Sequence, residues 1–371
     1  MKIVITGGHM SPALCVVNAL PKEDEVLFIG RKHAIEGDRA LSLEYSTAKS
    51  LNIPFKSITT GRLQRKFTKH TVFSLFKFPY GILQAFFILK KFKPDIILSF
   101  GAYVSLPVTI AGFFLKIPIV VHEQTLEAGL SNRIASFFAK KVCISWENSR
   151  KFFPGSKVVL TGNPVRKFSC EAGSRSAIQL SISNEDIPMI YITGGSSGSH
   201  AINVLIEGCI EKLLKDYKVF HQTGDAKEFM DFERLQKLKE TFGENLKKRY
   251  IIAKFIDPLQ VGAILKKADL VVSRSGINTI TELISLGKMS LLIPLPYAQN
   301  KEQKKNAVFL KELGLGEVFN QYDLTSEKLY DLINLMIKNI KKYEENAVNA
   351  QKKVSKDAEN KIINVLNEVV K

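Results

Sequence analysis

Cysteine is scarce in this 371-residue chain, and so are the signatures that would fix a chemistry at once. Cys15, Cys143, Cys170 and Cys209 stand far apart, with no CxxC and no short Cys/His spacing. That excludes a zinc knuckle and argues against a disulfide framework, leaving buried reduced thiols as the expectation. No Gly-Lys-Ser/Thr closes a Walker A loop, and no GxGxxG follows a strand, so nicotinamide chemistry is disfavoured. No DxD-like pair of carboxylates is placed to hold a divalent metal beside a diphosphate. Neither a metal nor a cofactor is therefore expected.

A signal peptide is not expected either, because Met1 and Lys2 lead straight into a short strand-like run. Residues 96–115 carry no charge and are long enough to span a bilayer. They contain Ser99, Gly101, Ser105, Pro107 and Gly112, and parse better as a buried strand, a glycine turn and a helix. Acidic residues are missing altogether between Glu44 and Asp95, where ten lysines and arginines alternate with aromatics. The net charge of +17 raises a nucleic-acid reading, but this mixture of Phe67, Phe73, Phe76, Phe87 and basic residues suits an anionic lipid surface better. A peripheral protein touching a membrane through Phe67–Phe87, without nucleic acid, is the expectation.

What the chain does contain is 45% hydrophobic residues, enough for two cores. Short apolar runs alternate with helix-period segments from end to end, which predicts βαβ units and parallel sheets. Twelve strands are expected, from Ile3–Thr6 to Ser290–Ile293, with one helix over His200–Leu214 and helices over Ser326–Lys371. The boundary falls near Asn163–Pro164. Ile5-Thr6-Gly7-Gly8 is echoed by Ile192-Thr193-Gly194-Gly195, each followed by a helix. The expected fold class is α/β, with two Rossmann-like doubly wound domains whose strand ends face a cleft.

Three segments carry chemistry. At Thr6-Gly7-Gly8-His9, glycines admit a ligand close to the backbone, and His9 has the near-neutral basicity to take a proton from a hydroxyl. A plain helix-capping role for His9 fits its position equally well. Gly194 to Ser199 offers hydroxyls and backbone N–H groups to a phosphate. Ser273-Arg274-Ser275-Gly276 runs from an apolar strand into a helix whose first N–H groups suit a diphosphate. Glu282, one turn in, is placed to accept the hydroxyls of a ribose. His122-Glu123-Gln124 at another strand end is too polar to be packing, whereas His200 and His221 read as structural.

Taken in order, these segments resemble the MurG family. The matching blocks are Thr6-Gly7-Gly8-His9 with Pro12-Ala13-Leu14, Gly101-Ala102-Tyr103 with Pro107, and His122-Glu123-Gln124 with Ala128-Gly129-Leu130 and Asn132-Arg133. Gly162-Asn163-Pro164-Val165-Arg166, Gly194-Gly195-Ser196, His221-Gln222, Phe255-Ile256-Asp257, Ser273 to Gly276 with Thr279 and Glu282, and Pro294 through Gln303 to Asn306-Ala307 complete them. The resemblance implies a GT-B fold divided as 1–163, 164–340 and a C-terminal helix, 341–371, returning to the first domain. It implies inverting, metal-independent transfer of GlcNAc from UDP-GlcNAc to the muramyl 4-hydroxyl of lipid I, at the cytoplasmic face of the membrane. His9 would be the base, with His122 and Glu123 beside it and Tyr103 and Asn132 on the acceptor. Donor contacts would be Arg166, Ser196, Ile256, Arg274, Ser275, Gly276, Ile277, Asn278, Thr279, Glu282 and Gln303. Thr6, Gly7, Gly8 and Thr125 join them from the first domain, where Thr6–His9 also border the acceptor.

The chain departs from the family pattern at Val4 and Ile5, where glycines are usual, at Ala102 in the GGY block, and at Thr125, where the family has asparagine. A related GT-B transferase with another lipid acceptor, or a UDP-GlcNAc epimerase, is the alternative enzyme. A nucleic-acid or anionic-lipid binding module would rest on charge alone, which leaves the glycine turns unexplained.

Overall fold

The structure, a computed structural model, describes all residues except 34–40, 62–68, 166–186 and 196–197, and the side chains of 43, 69–76, 258–259 and 299. It divides into two units, 1–165 with 355–371 and 166–354.

The first unit is built on a seven-stranded parallel sheet in the order β3-β2-β1-β4-β5-β6-β7. Its strands are β1 Lys2–Thr6, β2 Glu25–Gly30, β3 Phe55–Ser57, β4 Ile96–Ser99, β5 Ile119–Glu123, β6 Lys141–Ile144 and β7 Val158–Leu160. Every residue of β4 and β5 is buried, as expected of a parallel sheet covered on both faces. The helices α1 Met10–Ala19, α2 Leu43–Ser50, α3 Lys69–Phe92, α4 Ser105–Phe114 and α5 Leu130–Phe138 connect them. One face packs Val4, Ile97, Val121 and Ile144 against Leu89 and Val108. The other packs Ile3, Ile5 and Leu98 against Met10, Ala13 and Val16. Residues 96–115 are thus a strand, a turn and the ten-residue α4, and no helix among the described residues is long and apolar enough to cross a membrane.

The second unit has a six-stranded parallel sheet, β10-β9-β8-β11-β12-β13. Its strands are β8 Met189–Thr193, β9 Lys218–Gln222, β10 Tyr250–Ala253, β11 Leu270–Ser273, β12 Ser290–Leu292 and β13 Gly316–Val318. The helices are α6 His200–Glu207, α7 Ile210–Asp216, α8 Asp231–Glu240, α9 Glu244–Arg249, α10 Pro258–Lys267, α11 Ile277–Leu286, α12 Glu302–Glu312, α13 Ser326–Lys338 and α14 Ile340–Gln351. The single helix expected over His200–Leu214 is in fact two. Helix α6 stops at Gly208, where an added Cβ would lie 2.4 Å from Ser326 Oγ, and α7 restarts beyond Cys209. Strand β13 escapes a sequence reading because Gly316-Glu317-Val318 is short and at the sheet edge.

The last helix, α15 Ala358–Val370, belongs to the first unit. Its Ile362, Ile363, Val365 and Leu366 join Ile3, Ile5 and Val16 in one core cluster. Burying four aliphatic side chains is worth about 1.5–3 kcal/mol each before chain entropy is counted, which fixes this end of the chain. By contrast, α14 packs on α11, so residues 341–354 stay with the second unit and the return starts at Ser355.

Candidate active site

In an open parallel sheet, ligands meet the carboxyl ends of strands where the strand order reverses. In the first unit that point lies between β1 and β4, which pair Thr6 with Ser99. Gly7 there has φ +138°, and an added Cβ would sit 2.8 Å from the Phe100 carbonyl carbon, so only glycine fits. His9 follows as the N-cap of α1, with no side-chain capping bond. Its Nδ1 lies 3.2 Å from the Phe100 carbonyl oxygen and 2.6 Å from the Gln124 amide. Burial holds His9 below the ordinary imidazole pKa, opposed by the carboxylates of Glu123 and Glu44.

The end of β5 supplies the supports. Glu123 is fully buried; its Oε1 accepts from Thr125 N at 2.9 Å and from Thr125 Oγ1 at 2.6 Å. Its Oε2 accepts from Gly129 N at 2.9 Å and Asn132 Nδ2 at 3.0 Å. All four bonds pin the turn leading into α5. Thr125 therefore turns its hydroxyl inward, to Glu123 and the Glu127 carbonyl. His122 is buried completely, with Nε2 3.1 Å from the Gly162 carbonyl, and burial pushes its pKa down to about 4. It stays neutral at physiological pH.

Two residues beside this turn were not singled out from the sequence. Arg31, at the end of β2, lies 3.5 Å from the buried carboxylate of Glu44 and donates to the Tyr103 hydroxyl at 3.3 Å. Glu44 Oε1 sits 3.7 Å from where a Cβ of Gly8 would be. The clue was present: Glu44 is the last acid before the long stretch without one. Ala102 adopts φ +64°, the left-handed backbone that glycine serves in the family pattern, at a cost of about 1 kcal/mol.

The second unit repeats the arrangement at β8 and β11, where Thr193 pairs with Ser273. Gly198, at φ +74°, would bring a Cβ to 2.0 Å from the Thr223 carbonyl oxygen. Ser199 caps α6, and Arg274 donates to its Oγ at 2.7 Å, to Gln321 Oε1 at 2.6 Å and to the Ile293 carbonyl at 2.9 Å. Arg274 thus ties the two strand-end turns together and spends its guanidinium on the protein. Ser275, fully buried, donates to the Gln303 carbonyl, and its own carbonyl accepts from Asn306. Gly276 is the N-cap of α11 and brings no side chain over the first N–H groups, at Ile277, Asn278 and Thr279. Such an end presents about half a positive charge. Glu282, the sixth residue of α11, is buried; Ile256 follows β10, buried beside exposed Phe255.

Thr6, Gly7, Gly8, His9, Tyr103, His122, Glu123, Thr125 and Asn132 thus gather at one end of the first sheet. Arg274 to Thr279, Glu282 and Gln303 gather at the corresponding end of the second. Arg166, Ser196, Cys170 and Phe67 lie outside the described residues. Among the described residues, no group of three or more His, Cys, Asp or Glu could hold a metal ion. His200 and His221 carry structural bonds: His200 to Asp231 at 2.8 Å, His221 to Asn203 and Tyr250 at 3.0 Å each.

The glycosyltransferase family 28 N-terminal domain matches residues 4–144, and its C-terminal domain matches residues 189–362. A UDP-N-acetylglucosamine–N-acetylmuramyl-(pentapeptide) pyrophosphoryl-undecaprenol N-acetylglucosamine transferase of Clostridium botulinum is 35% identical over 354 residues, covering 94% of this chain and 93% of that protein. One of the same name from Bacillus cytotoxicus is 32% identical, covering 99% and 97%. The crystal structure of Acinetobacter baumannii MurG matches with a TM-score of 0.71 at 27% identity, covering 99% of each chain. A UDP-GlcNAc 2-epimerase from Neisseria meningitidis reaches a TM-score of 0.67 at 17% identity, covering 99% of this chain and 100% of that one, a likeness of fold alone. With a GT-B fold, both family 28 domains and relatives matched over nearly their whole length, the chain belongs to the MurG family of UDP-GlcNAc-dependent glycosyltransferases.

Proposed function

We propose that this enzyme transfers GlcNAc from UDP-GlcNAc to the muramyl 4-hydroxyl of lipid I, forming lipid II, in one inverting displacement without a metal. The relatives' shared name supports the donor and the acceptor. His9 carries the chemical reading: its Nδ1 is anchored by a backbone carbonyl beside the open Gly7-Gly8 turn. As the 4-hydroxyl oxygen attacks the anomeric carbon, His9 takes the hydroxyl proton. The bond from the anomeric carbon to the diphosphate oxygen breaks, and UDP leaves with both electrons. Preorganised N–H groups at the start of α11 meet the charge that develops on the diphosphate, which is the task a cation would otherwise perform.

Glu282 is proposed to hold the ribose of the donor. Glu282→Ala should raise the KM for UDP-GlcNAc about tenfold or more and leave kcat within a few-fold, since a lost hydrogen bond to a charged group costs about 1.5–3 kcal/mol. Initial rates at varied donor check this, and an unchanged KM would remove Glu282 from the ribose.

The same enzyme is proposed to dock on the cytoplasmic face of the membrane. Neighbouring helices α3, α4 and α5 leave Phe87, Phe114 and Phe137 66, 69 and 71% exposed. Lys90, Lys91, Lys93, Lys116 and Lys140, in the last turns of the same three helices or just after them, are exposed too. On α3 the residues divide cleanly: Phe78, Ile82 and Phe86 pack on the core, while Tyr80, Leu83 and Phe87 face solvent. An apolar face ringed by lysines suits anionic lipid, each basic residue adding about 1 kcal/mol. The triple variant Phe87→Ser, Phe114→Ser, Phe137→Ser should lose most of its binding to phosphatidylglycerol vesicles in sedimentation, with folding intact. Equal binding by the variant would place the docking face elsewhere.

A further inference from the structure

Two imidazoles and one amide form a row at the carboxyl end of the first sheet: His9, Gln124 and His122. Each end of the row is fixed by a backbone carbonyl, which can only accept. Phe100 O lies 3.2 Å from His9 Nδ1, so that nitrogen carries a hydrogen. Gly162 O lies 3.1 Å from His122 Nε2, so His122 is protonated there and its Nδ1 is a bare lone pair. Ser145 Oγ, 3.3 Å from the same Nε2, can turn its hydrogen away.

Between them, Gln124 is 2% exposed, its backbone carbonyl accepting from Trp146 Nε1 at 3.0 Å. With its Nε2 2.6 Å from His9 Nδ1, two N–H donors would face each other. Gln124 Oε1 and His122 Nδ1 are meanwhile both buried with no hydrogen-bond partner. One half-turn of the amide removes the clash of donors, gives Oε1 a partner and presents an N–H to the side of His122, the ring whose titration Gln124 already influences. Oε1 then accepts from His9 Nδ1–H, and the amide N–H is turned toward the His122 lone pair. His9 Nε2 is left unprotonated, and Nδ1–H keeps two acceptors once the ring becomes an imidazolium.

We propose that Gln124, oriented by His122, is a positioning residue that locks His9 in its Nδ1-protonated tautomer and so frees Nε2 to receive the acceptor's proton. The catalytic consequence rests on His9 being the base; the tautomer itself does not.

The test is long-range 1H–15N correlation on the full-length enzyme labelled with 15N-histidine, above the titration range of His9. His9→Gln and His122→Gln spectra assign the signals. The wild type should show His9 protonated at Nδ1 and His122 at Nε2; His9 protonated at Nε2 overturns the proposal whatever the variants do. In Gln124→Met the Nε2-protonated form of His9 should appear, with kcat falling on the order of tenfold to a thousandfold. Gln124→Glu, which keeps an acceptor, should retain the Nδ1 form. A folded Gln124→Met with unchanged tautomer and unchanged kcat would equally overturn it. Should His9→Gln keep full turnover, the base assignment fails while the tautomer measurement still decides this one.

Discussion

His9→Ala is expected to lower kcat by about 10²–10⁴ while the KM for UDP-GlcNAc stays within about twofold, because a positioned general base is lost and no donor contact is. The pH dependence carries a sign that checks the same residue. The neutral imidazole is the active form, and burial lowers its pKa below the ordinary 6.5. The acid limb should therefore be centred below pH 6.5, falling tenfold per unit once the imidazole is protonated. In His9→Ala that limb should vanish from kcat/KM. Wild-type turnover by the variant on a lipid-linked muramyl acceptor would assign the proton transfer to another group.

Glu123 predicts the second large effect, and through stability as much as rate. Its carboxylate receives four hydrogen bonds in a fully buried place. Glu123→Ala strands the buried Thr125 N and one of the two Asn132 Nδ2 hydrogens, the other staying on the His122 carbonyl, while Gly129 N on its exposed residue can turn to water; each buried donor left unpaired costs about 1–3 kcal/mol. Some of that cost will be relieved by water entering the cavity, so a net loss of about 3–5 kcal/mol is expected. Urea unfolding should show a midpoint well below the wild type, together with loss of turnover, since the same turn carries Gln124 and the chain beside His9. A variant as stable as the parent would mean that the Glu123 network does not hold this end of the sheet. Thr125→Asn, the family's usual residue, is the gentler companion change, because here threonine spends its hydroxyl on Glu123.

The sequence makes legible what is local to it. The strands were readable because parallel strands buried on both faces are continuous apolar runs, as in Ile96–Ser99 and Leu270–Ser273. The glycine turns were readable because Gly7 and Gly198 sit in backbone that other residues do not fit. Directions of side chains were not. Arg274 reads as a ligand-binding cation but is occupied by Ser199, Gln321 and the Ile293 carbonyl, partners far away in sequence. Glu44 stands in the sequence only as the last acid before Asp95, yet it is buried against Arg31 beside Gly8. His122 reads as a proton carrier, while its fully buried ring donates to Gly162 across 40 residues. On α3, the sequence does not tell Phe86 from Phe87; packing on α4 does.

In the proposed reaction no cation neutralises the leaving diphosphate; the start of α11 does so, and His9 takes the proton. Purified enzyme should therefore be assayed with UDP-GlcNAc and lipid I in excess EDTA, following both UDP and lipid II. Equal release of UDP and lipid II, at a rate that added magnesium leaves unchanged within about twofold, is the expected result. Turnover that stops with EDTA and returns with magnesium, or conversion of UDP-GlcNAc to an epimer without acceptor, would contradict it.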